Sequence, residues 1–135
     1  MPYLIDTDWM IDRLGDVPEA SALLDALAAE GIAVSIITYL ELYQGVLRSE
    51  DQPASERHLD ALLDAIPLLP LSRSVARRCA AVRHALKQDG KRVNSRALDL
   101  IIAATAIEHG LTLVTRNLPD YADIPVLRIY RPAAP

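Results

Sequence analysis

Three acidic residues stand within or next to apolar segments of the sequence. Asp6 follows the apolar run Tyr3–Ile5, Glu41 lies near the start of a helical pattern, and Asp99 lies within an almost entirely apolar helical segment. An unpaired carboxylate buried among apolar groups costs on the order of several kcal/mol. That cost makes Asp99 a candidate for a functional site.

The residues around Asp6 predict how it is positioned. Tyr3–Ile5 is a short apolar run of the kind that forms a buried parallel strand. Asp6, Thr7 and Asp8 complete this strand at its carboxyl end, the edge at which open α/β sheets bind ligands. We expect Asp8 to cap the following helix, which extends to about Leu14, and Asp6 to face the ligand.

Glu41 and Asp99 differ in how well a structural role explains them. Thr38 and Glu41 have the spacing of a capping box, so tying down a helix start and catalysis are equally good interpretations of Glu41. A carboxylate in a first helical turn gains on the order of 0.5 kcal/mol from the helix dipole. That gain explains an exposed acid but not one flanked by Leu98 and Leu100, so a functional role is favoured for Asp99.

A polar loop follows the predicted strand Leu111–Thr115. Thr115, Asn117 and Asp120 bring a hydroxyl, an amide and a carboxylate to the same sheet edge. Asn and Asp in loops commonly bond to the turn backbone. In this position they are also suitable oxygen ligands for a hard cation, or partners of such ligands.

Strands and helices alternate along the chain. The predicted helices span about residues 8–14, 16–30, 38–48, 59–66, 72–89 and 97–109, and the predicted strands span residues 3–8, 32–35, 67–71, 111–115 and 126–129, before a tail at 131–135. Asp16 and Glu19 are expected to cap the second helix, and Asn94–Ser95 the sixth. The alternation predicts one α/β domain over residues 1–135, a three-layer α/β/α sandwich on a mostly parallel sheet.

Composition narrows the class of protein. Cys79 is the only cysteine in the sequence, which excludes an internal disulfide and a cysteine-rich zinc site. No apolar run approaches the length of a membrane span, and no secretory signal is recognisable. We therefore expect a soluble cytoplasmic protein without a membrane partner.

Charge is unevenly distributed, although the formal net charge is only −4. The first 64 residues hold 13 acids and three bases, and the rest of the chain holds five acids and 11 bases. Helical spacing places Arg73, Arg77 and Lys87 opposite an apolar face of the fifth helix, so this basic stripe faces solvent. Such a patch sets the local field that a polyanion meets.

Acids that converge from several elements require a compensating cation. Oxygen-only ligation selects Mg²⁺ or Mn²⁺ over zinc, and such sites support attack of water on a phosphodiester. The basic stripe would hold the phosphate backbone beside this acidic centre. Together, the acidic pocket and the stripe favour a nuclease.

The sequence resembles PIN-domain proteins, and specifically the VapC-type toxic ribonucleases of toxin–antitoxin pairs. The segments that carry the resemblance are Leu4–Thr7, Ile37–Leu42 with Gly45, Asp99–Ala106, and Gly110 with Leu113–Asn117 and Asp120–Tyr121. The resemblance implies an Mg²⁺- or Mn²⁺-dependent endoribonuclease that is held inactive by a cognate antitoxin and often forms a homodimer.

The resemblance also assigns roles to residues. It gives metal-binding and catalytic roles to Asp6, Glu41 and Asp99. The position of the fourth family acid is filled either by Asn117, as a polar ligand, or by Asp120, as a charged catalytic residue. Supporting polar roles fall to Thr7, Asp8, Thr115 and Asn117. Candidates for binding RNA are Arg73, Arg77, Lys87, Lys91, Arg92, Arg96 and Arg116. The chain departs from the family in having Asp8 where Asn is common and Tyr121 where Phe is usual, the latter interpreted as a packing variant.

Three further possibilities stay open at this point. Asp6 and Asp8 form the Asp-x-Asp of haloacid-dehalogenase phosphatases, but Met10 replaces the expected Thr and no Lys follows Lys91. A PIN-like fold used only for binding is the non-enzymatic alternative. An antitoxin groove or a dimer face is predicted around the third helix, and simple core packing explains its apolar residues equally well. Those residues are Tyr39, Leu40, Tyr43 and Leu47.

Overall fold

Four parallel strands form the centre of the fold. The computed structural model describes residues 2–132 and places the strands in the order β3-β2-β1-β4. Their bounds are β1 Tyr3–Ile5, β2 Ile32–Ser35, β3 Leu68–Leu69 and β4 Thr112–Val114. Because every pairing is parallel, the carboxyl ends of all four strands lie at one edge of the sheet.

Helices connect the strands and cover both faces of the sheet. They are α1 Thr7–Leu14, α2 Pro18–Ala28, α3 Ile36–Arg48, α4 Gln52–Leu63, α5 Arg73–Gln88, α6 Ala97–Glu108 and α7 Leu118–Tyr121, and a 3-10 turn at Asn94–Arg96 leads into α6. Ser72 caps α5 as predicted, since its Oγ accepts a hydrogen bond of 3.2 Å from Val75 N.

Two hydrophobic cores follow from the alternation of side chains along the strands. Leu4, Ala33 and Leu113 are paired neighbours on one face, where α5 and α6 pack. The next residue of β1, Ile5, faces the opposite core together with Val114, where α1, α2 and α3 pack. The predicted three-layer α/β/α sandwich is therefore confirmed.

The predicted caps around α1 and α3 are wrong, and the difference places two acids. Asp6, not Asp8, caps α1, because its Oδ1 accepts a 2.8 Å hydrogen bond from Thr7 N. Helix α3 begins at Ile36 and is capped by Ser35, whose Oγ accepts from Thr38 N at 3.1 Å. Glu41 therefore lies inside the helix and has no capping role.

Other predicted boundaries also differ from the structure. Helix α2 begins at Pro18, and its N-cap residue is Val17, not Asp16, so the helix has no side-chain cap. Asp16 adopts a left-handed φ of 57° one residue earlier. The 3-10 turn and α6 likewise start without the predicted Asn94–Ser95 cap. The predicted last strand is reduced to one bridge between Leu113 and Ile129. Val126 has a φ of 70°, which interrupts extended backbone there.

Among the helices of residues 2–132, none has the length and apolarity that a membrane crossing requires.

Helix α6 is buried nearly all round, as its composition predicts: Leu100, Ile102, Ala103, Ala104 and Ala106 are fully buried. Its first turn carries Asp99 to the sheet edge. The predicted tail extends to residues 133–135, which lie outside the described residues.

Truncation of Leu113 tests the central packing. Leu113 is 0% exposed in β4, so Leu113→Ala removes a filled core volume and is expected to cost about 2–5 kcal/mol of unfolding free energy. Leu68→Ala is the matched control, since Leu68 is 40% exposed on the edge strand. Urea unfolding followed by circular dichroism measures both. Equal losses for the two variants would contradict this packing.

Candidate active site

Asp6 is the centre of a group of polar side chains at the carboxyl edge of the sheet. It is 6% exposed and lies between the end of β1 and the start of α1. In addition to Thr7 N, it accepts a 2.7 Å hydrogen bond from Thr115 Oγ1, which follows β4. Burial raises the pKa of Asp6, the charges of Asp8 and Glu41 raise it further, and these two hydrogen bonds oppose the rise.

Glu41 joins this group through Thr7. The Thr7 hydroxyl donates to Glu41 Oε1 at 2.7 Å and lies 3.2 Å from the Thr38 hydroxyl. Because the backbone N–H of Thr7 is bound to Asp6, one residue fixes both carboxylates. The structure thus excludes the helix-cap interpretation of Glu41 and places its carboxylate beside Thr7 in this group.

Asp99 joins the same group through Tyr121. The Tyr121 hydroxyl lies 3.2 Å from Asp99 Oδ1 and 3.4 Å from Asp6 Oδ1, and its side chain is fully buried. A phenol has one proton to donate, so it satisfies these two carboxylates only in turn. Its burial, followed by the nearby charges of Asp6 and Asp99, raises the pKa of Tyr121 well above the usual value.

The pKa of Asp99 is raised to about 6, from a usual value of 3.8. Burial is the main cause, and the negative charges of Asp6, Asp120 and Glu41 add to it, whereas the Tyr121 hydrogen bond lowers it. The acids predicted from the sequence therefore lie close enough to share one electrostatic environment. Negative charge accumulates there beyond what the neighbouring hydroxyl groups compensate.

Asp120 differs from the other three acids. Its Oδ1 accepts a 2.7 Å hydrogen bond from Arg92 Nη2, and its Oδ2 accepts from Asn117 Nδ2. The bond to Arg92 is the main reason that the pKa of Asp120 is lowered. Asn117 also donates its backbone N–H to Thr115 Oγ1 at 2.9 Å. The loop after β4 is therefore a continuous polar network that ends at Asp6.

The structure places the predicted RNA-binding residues in different environments, some near the site and one buried in the protein. Arg92 lies at the site, and Arg116 lies at its rim, paired with Asp12 and stacked 3.8 Å above the Trp9 ring. Arg96 is 3% exposed, so its predicted place on a binding surface does not hold. It instead forms a bidentate pair with Asp123 at 2.6 and 2.9 Å.

Arg73 and Arg77 lie at the end of α5 that is remote from Asp99. The adjacent Arg78 pairs with Glu108, the last residue of α6, whereas Asp99 is in the first turn of α6. At a rise of about 1.5 Å per residue, Lys87 is roughly 21 Å along α5 from Arg73. Lys87 and Lys91 are exposed at the near end of this helix.

Thr7 and Tyr121 bridge the carboxylates, Thr7 through its backbone N–H and its hydroxyl, and Tyr121 through its hydroxyl. Within residues 2–132, no three acidic, histidine or cysteine side chains already form a cage for a metal ion. Thr7 lies between Asp6 and Glu41, and Tyr121 lies between Asp6 and Asp99. The donors are nonetheless all oxygens on carboxylates that repel one another, a set that suits Mg²⁺ or Mn²⁺.

The sequence-based interpretation included the hydroxyl groups of Thr7 and Thr115 but missed those of Tyr121 and Thr38. Tyr121 is not merely a packing variant, because its hydroxyl contacts two acids 115 and 22 residues away in sequence. Thr38 contributes through Thr7. Both residues lie inside the segments that carried the family resemblance, which was the available signal. Asp8 is exposed in the first turn of α1 and acts on Asp6 through its charge.

An α/β/α sandwich with carboxylates gathered at the carboxyl edge of a parallel sheet defines the class of this protein. The sequence matches the PIN domain family over residues 3–123. The chain therefore belongs to the PIN domain family. The basis for a haloacid-dehalogenase-type phosphatase disappears with this assignment.

Comparisons with individual proteins agree with this family assignment. The chain is 30% identical to Ribonuclease VapC2 of Rickettsia felis, covering 94% of this chain and 95% of the relative. It is 34% identical to Toxin FitB of Neisseria gonorrhoeae, covering 91% and 94%. The crystal structure of VapBC2 from Rickettsia felis bound to a promoter DNA fragment contains a similar chain, with a TM-score of 0.86, 29% identity, and 96% and 98% of the two chains covered.

Asp99→Asn tests the charge accumulation in protein stripped of metal. The folded-state pKa of about 6 exceeds the usual 3.8, so the wild type loses stability as pH rises from about 4 to about 6. We expect the neutral variant to melt at a higher temperature than the wild type at pH 7.5, with the difference shrinking as pH falls towards 4.

The matched control is Asp25→Asn, at an exposed position on α2. Its melting temperature is expected to follow the wild type at every pH. Scanning calorimetry in EDTA measures all three proteins. An Asp99→Asn protein that is less stable than the wild type at pH 7.5 would show that the carboxylate is not under electrostatic stress.

Proposed function

We propose that this chain is an Mg²⁺- or Mn²⁺-dependent endoribonuclease and the toxin of a toxin–antitoxin pair. The observation that carries the proposal is the convergence of Asp6, Glu41 and Asp99, from three different elements, at one edge of the sheet. The relatives named as ribonuclease and as toxin support the same activity. Because RNA is the proposed substrate, we place the protein in the cytoplasm.

Asp6, Asp99 and Glu41 would hold the divalent ion. When bound, such an ion lowers the pKa of water and neutralises charge that develops on the phosphate. The protein's own part is to fix the carboxylates: Thr115 orients Asp6, and Thr7 orients Glu41. The near-complete burial of Asp6 keeps bulk water away from this side of the site, which strengthens its electrostatic interactions.

Cleavage of RNA is the direct test. Purified protein is incubated with total bacterial RNA in Mn²⁺, in Mg²⁺ and in EDTA, and cuts are mapped by primer extension. We expect discrete cuts with either ion and none in EDTA. Asp99→Asn is expected to reduce the rate by more than the roughly 10–100-fold typical of residues that only orient metal ligands.

The same assay addresses the non-enzymatic alternative, a PIN-like fold used only for binding. The nuclease proposal would be contradicted if the folded protein cut no RNA with any ion, or if Asp99→Asn cut RNA as well as the wild type. Either result would favour the binding-only alternative. Melting curves with and without Mg²⁺ separate the two failures. An inactive protein that Mg²⁺ still stabilises has the metal site but lacks its substrate.

The orientation of Glu41 by Thr7 gives a sharper prediction. Thr7→Val removes the hydroxyl that donates to Glu41 while keeping the shape of the side chain, and it leaves the Thr7 backbone N–H on Asp6. We expect cleavage to fall about 10–100-fold, as when a partner of a metal ligand is lost.

Thr7→Ser is the matched control, because it retains the hydroxyl and removes only a methyl group. Cleavage close to the wild-type rate is expected for this variant, measured by single-turnover kinetics on one mapped RNA site. If valine and serine at position 7 have equal effects, the hydroxyl has no role in orienting Glu41.

The antitoxin is the proposed protein partner, and the structure offers a surface for it. A groove of about 230 Å³ lies between α1, α3 and α4, with Ile11, Gly45 and Val46 among its lining residues and Glu41 at its border. Leu40 and Leu47 are 44% and 55% exposed beside it. Tyr39 and Tyr43 stack on each other, half-buried. Homodimerisation stays a prediction that light scattering of the purified protein tests.

A further inference from the structure

Arg92 is a cation that is paired directly with one of the four acids at the sheet edge, Asp120. Its guanidinium donates to Asp120 Oδ1 at 2.7 Å, to Ser95 Oγ at 2.9 Å and, over 3.5 Å, to the Pro119 carbonyl. Ser95 is in the 3-10 turn before α6, and Pro119 and Asp120 are in the short helix α7. The side chain is thus held in one orientation although it is 52% exposed.

The contacts of Arg92 leave part of its guanidinium available. Its Nε–H has no hydrogen-bond partner among residues 2–132, and Nη1 carries a second N–H beyond the one given to Ser95. A planar guanidinium with free N–H groups matches the geometry of a phosphate better than a lysine does. Arg92 therefore presents a fixed, partly unsatisfied cation to the mouth of the site.

Asp120 is suited to hold this cation and poorly suited to the role of a fourth metal ligand. Both of its oxygens already accept hydrogen bonds, one from Arg92 and one from Asn117. Glu41 and Asp99, by contrast, accept only from the hydroxyls of Thr7 and Tyr121 among the described residues. An exposed ion pair such as Arg92–Asp120 contributes only about 0–1 kcal/mol to stability, so stability alone explains it weakly.

We propose that Arg92 binds an RNA phosphate beside the acidic pocket and that Asp120 is the positioning residue that holds Arg92 there. This inference rests on the proposed function, because it takes RNA as the substrate. It also gives Asp120 a different role from that of a fourth catalytic acid, which the family resemblance implied. Asp6, Glu41 and Asp99 then form the ion-binding set without it.

The neighbours of Arg92 indicate the direction in which the RNA leaves the site. Arg83 donates to Asn94 Oδ1 at 3.4 Å, on the same 3-10 turn that carries Ser95. Lys87 is one helical turn from Arg83 on α5, so the near end of the helix continues the cationic path. Arg73, at the remote end, lies off this path.

Binding of RNA without cleavage tests the phosphate contact. An Asp99→Asn protein in EDTA is titrated into a fluorescein-labelled single-stranded RNA of about 20 nucleotides, and anisotropy is followed at several salt concentrations. We expect Arg92→Ala in this background to weaken binding about tenfold, as for loss of a hydrogen bond to a charged group. The salt dependence should fall by about 0.7 in log–log slope, the value for one phosphate on a single strand.

Arg73→Ala is the matched control, since it removes the same charge from the end of α5 that is remote from Arg92 and the site. It is expected to change affinity less than twofold. Arg92→Lys retains the charge without the planar fork and should bind with intermediate affinity. Equal losses for Arg73→Ala and Arg92→Ala, no loss for either, or no binding of RNA by the parent protein would each overturn the proposal.

Asp120→Ala separates a positioning role from a metal-binding one. In the Asp99→Asn background it should weaken RNA binding as much as Arg92→Ala, and the double variant should be no weaker than either single variant. In otherwise wild-type protein, Mg²⁺ should still raise the melting temperature of Asp120→Ala but not that of Asp6→Ala. Loss of the Mg²⁺ effect in Asp120→Ala with unchanged RNA affinity would refute the positioning role.

The outcome is independent of whether the protein cuts RNA. Anisotropy reports binding by an inactive variant, so a failed cleavage assay combined with Arg92-dependent binding would reject the nuclease and retain the phosphate contact. Circular dichroism and melting curves of each variant verify that it is folded. If Arg92→Ala does not fold, the RNA affinity of Arg92→Lys is compared with that of the parent protein and of Arg73→Ala instead.

Discussion

The burial of the Asp6 carboxylate at the end of β1 is the constraint on which the rest of the site depends. A carboxylate that is nearly removed from water must be held by hydrogen-bond donors or by a cation. The donors come from the N-terminus of α1 and from the residue after β4, so the position of Asp6 depends on both segments. Each of these segments brings a further site residue with it.

The two cores explain why this arrangement can be rigid. One face of β1 is packed by α5 and α6, and the other by α1, α2 and α3, so the strand that ends at Asp6 is clamped on both sides. Helix α6 is buried nearly all round, and Asp99 at its start has little freedom to move away from Asp6. Repulsion between the carboxylates is therefore retained by the fold instead of being relieved by separation.

Much of the fold was predictable from the sequence because its signals are local. Apolar runs and helical periodicity identified all four strands and most of the helices. The end of an apolar strand identified Asp6, and the cost of burying a charge identified Asp99. Glu41 was ambiguous because its spacing from Thr38 also fits a cap. That ambiguity disappears only when Ser35 is seen to cap the helix and Thr7 to contact Glu41.

The parts that were not predictable depend on contacts distant in sequence. The short helix α7 lies in a segment interpreted as a loop, and its position is fixed by Arg96, which bonds both the Asp120 carbonyl and the Asp123 carboxylate. The burial of Arg96 follows from these contacts, 24 and 27 residues away, and not from its own neighbours. No local pattern distinguishes such an arginine from one on a basic surface.

The four acids differ in whether their hydrogen-bond donors are neutral or positively charged, and this difference bears on what each acid can bind. Asp6, Glu41 and Asp99 have neutral donors only, so their charges stay uncompensated, whereas Asp120 has an arginine at 2.7 Å. A divalent cation gains most from the three carboxylates that lack a positive partner. A phosphate gains most from Arg92, whose charge is shared with one acid. The same sheet edge therefore has one region that favours a cation and an adjacent region that favours an anion. The proposed binding of a metal ion beside an RNA phosphate requires such a pair of regions.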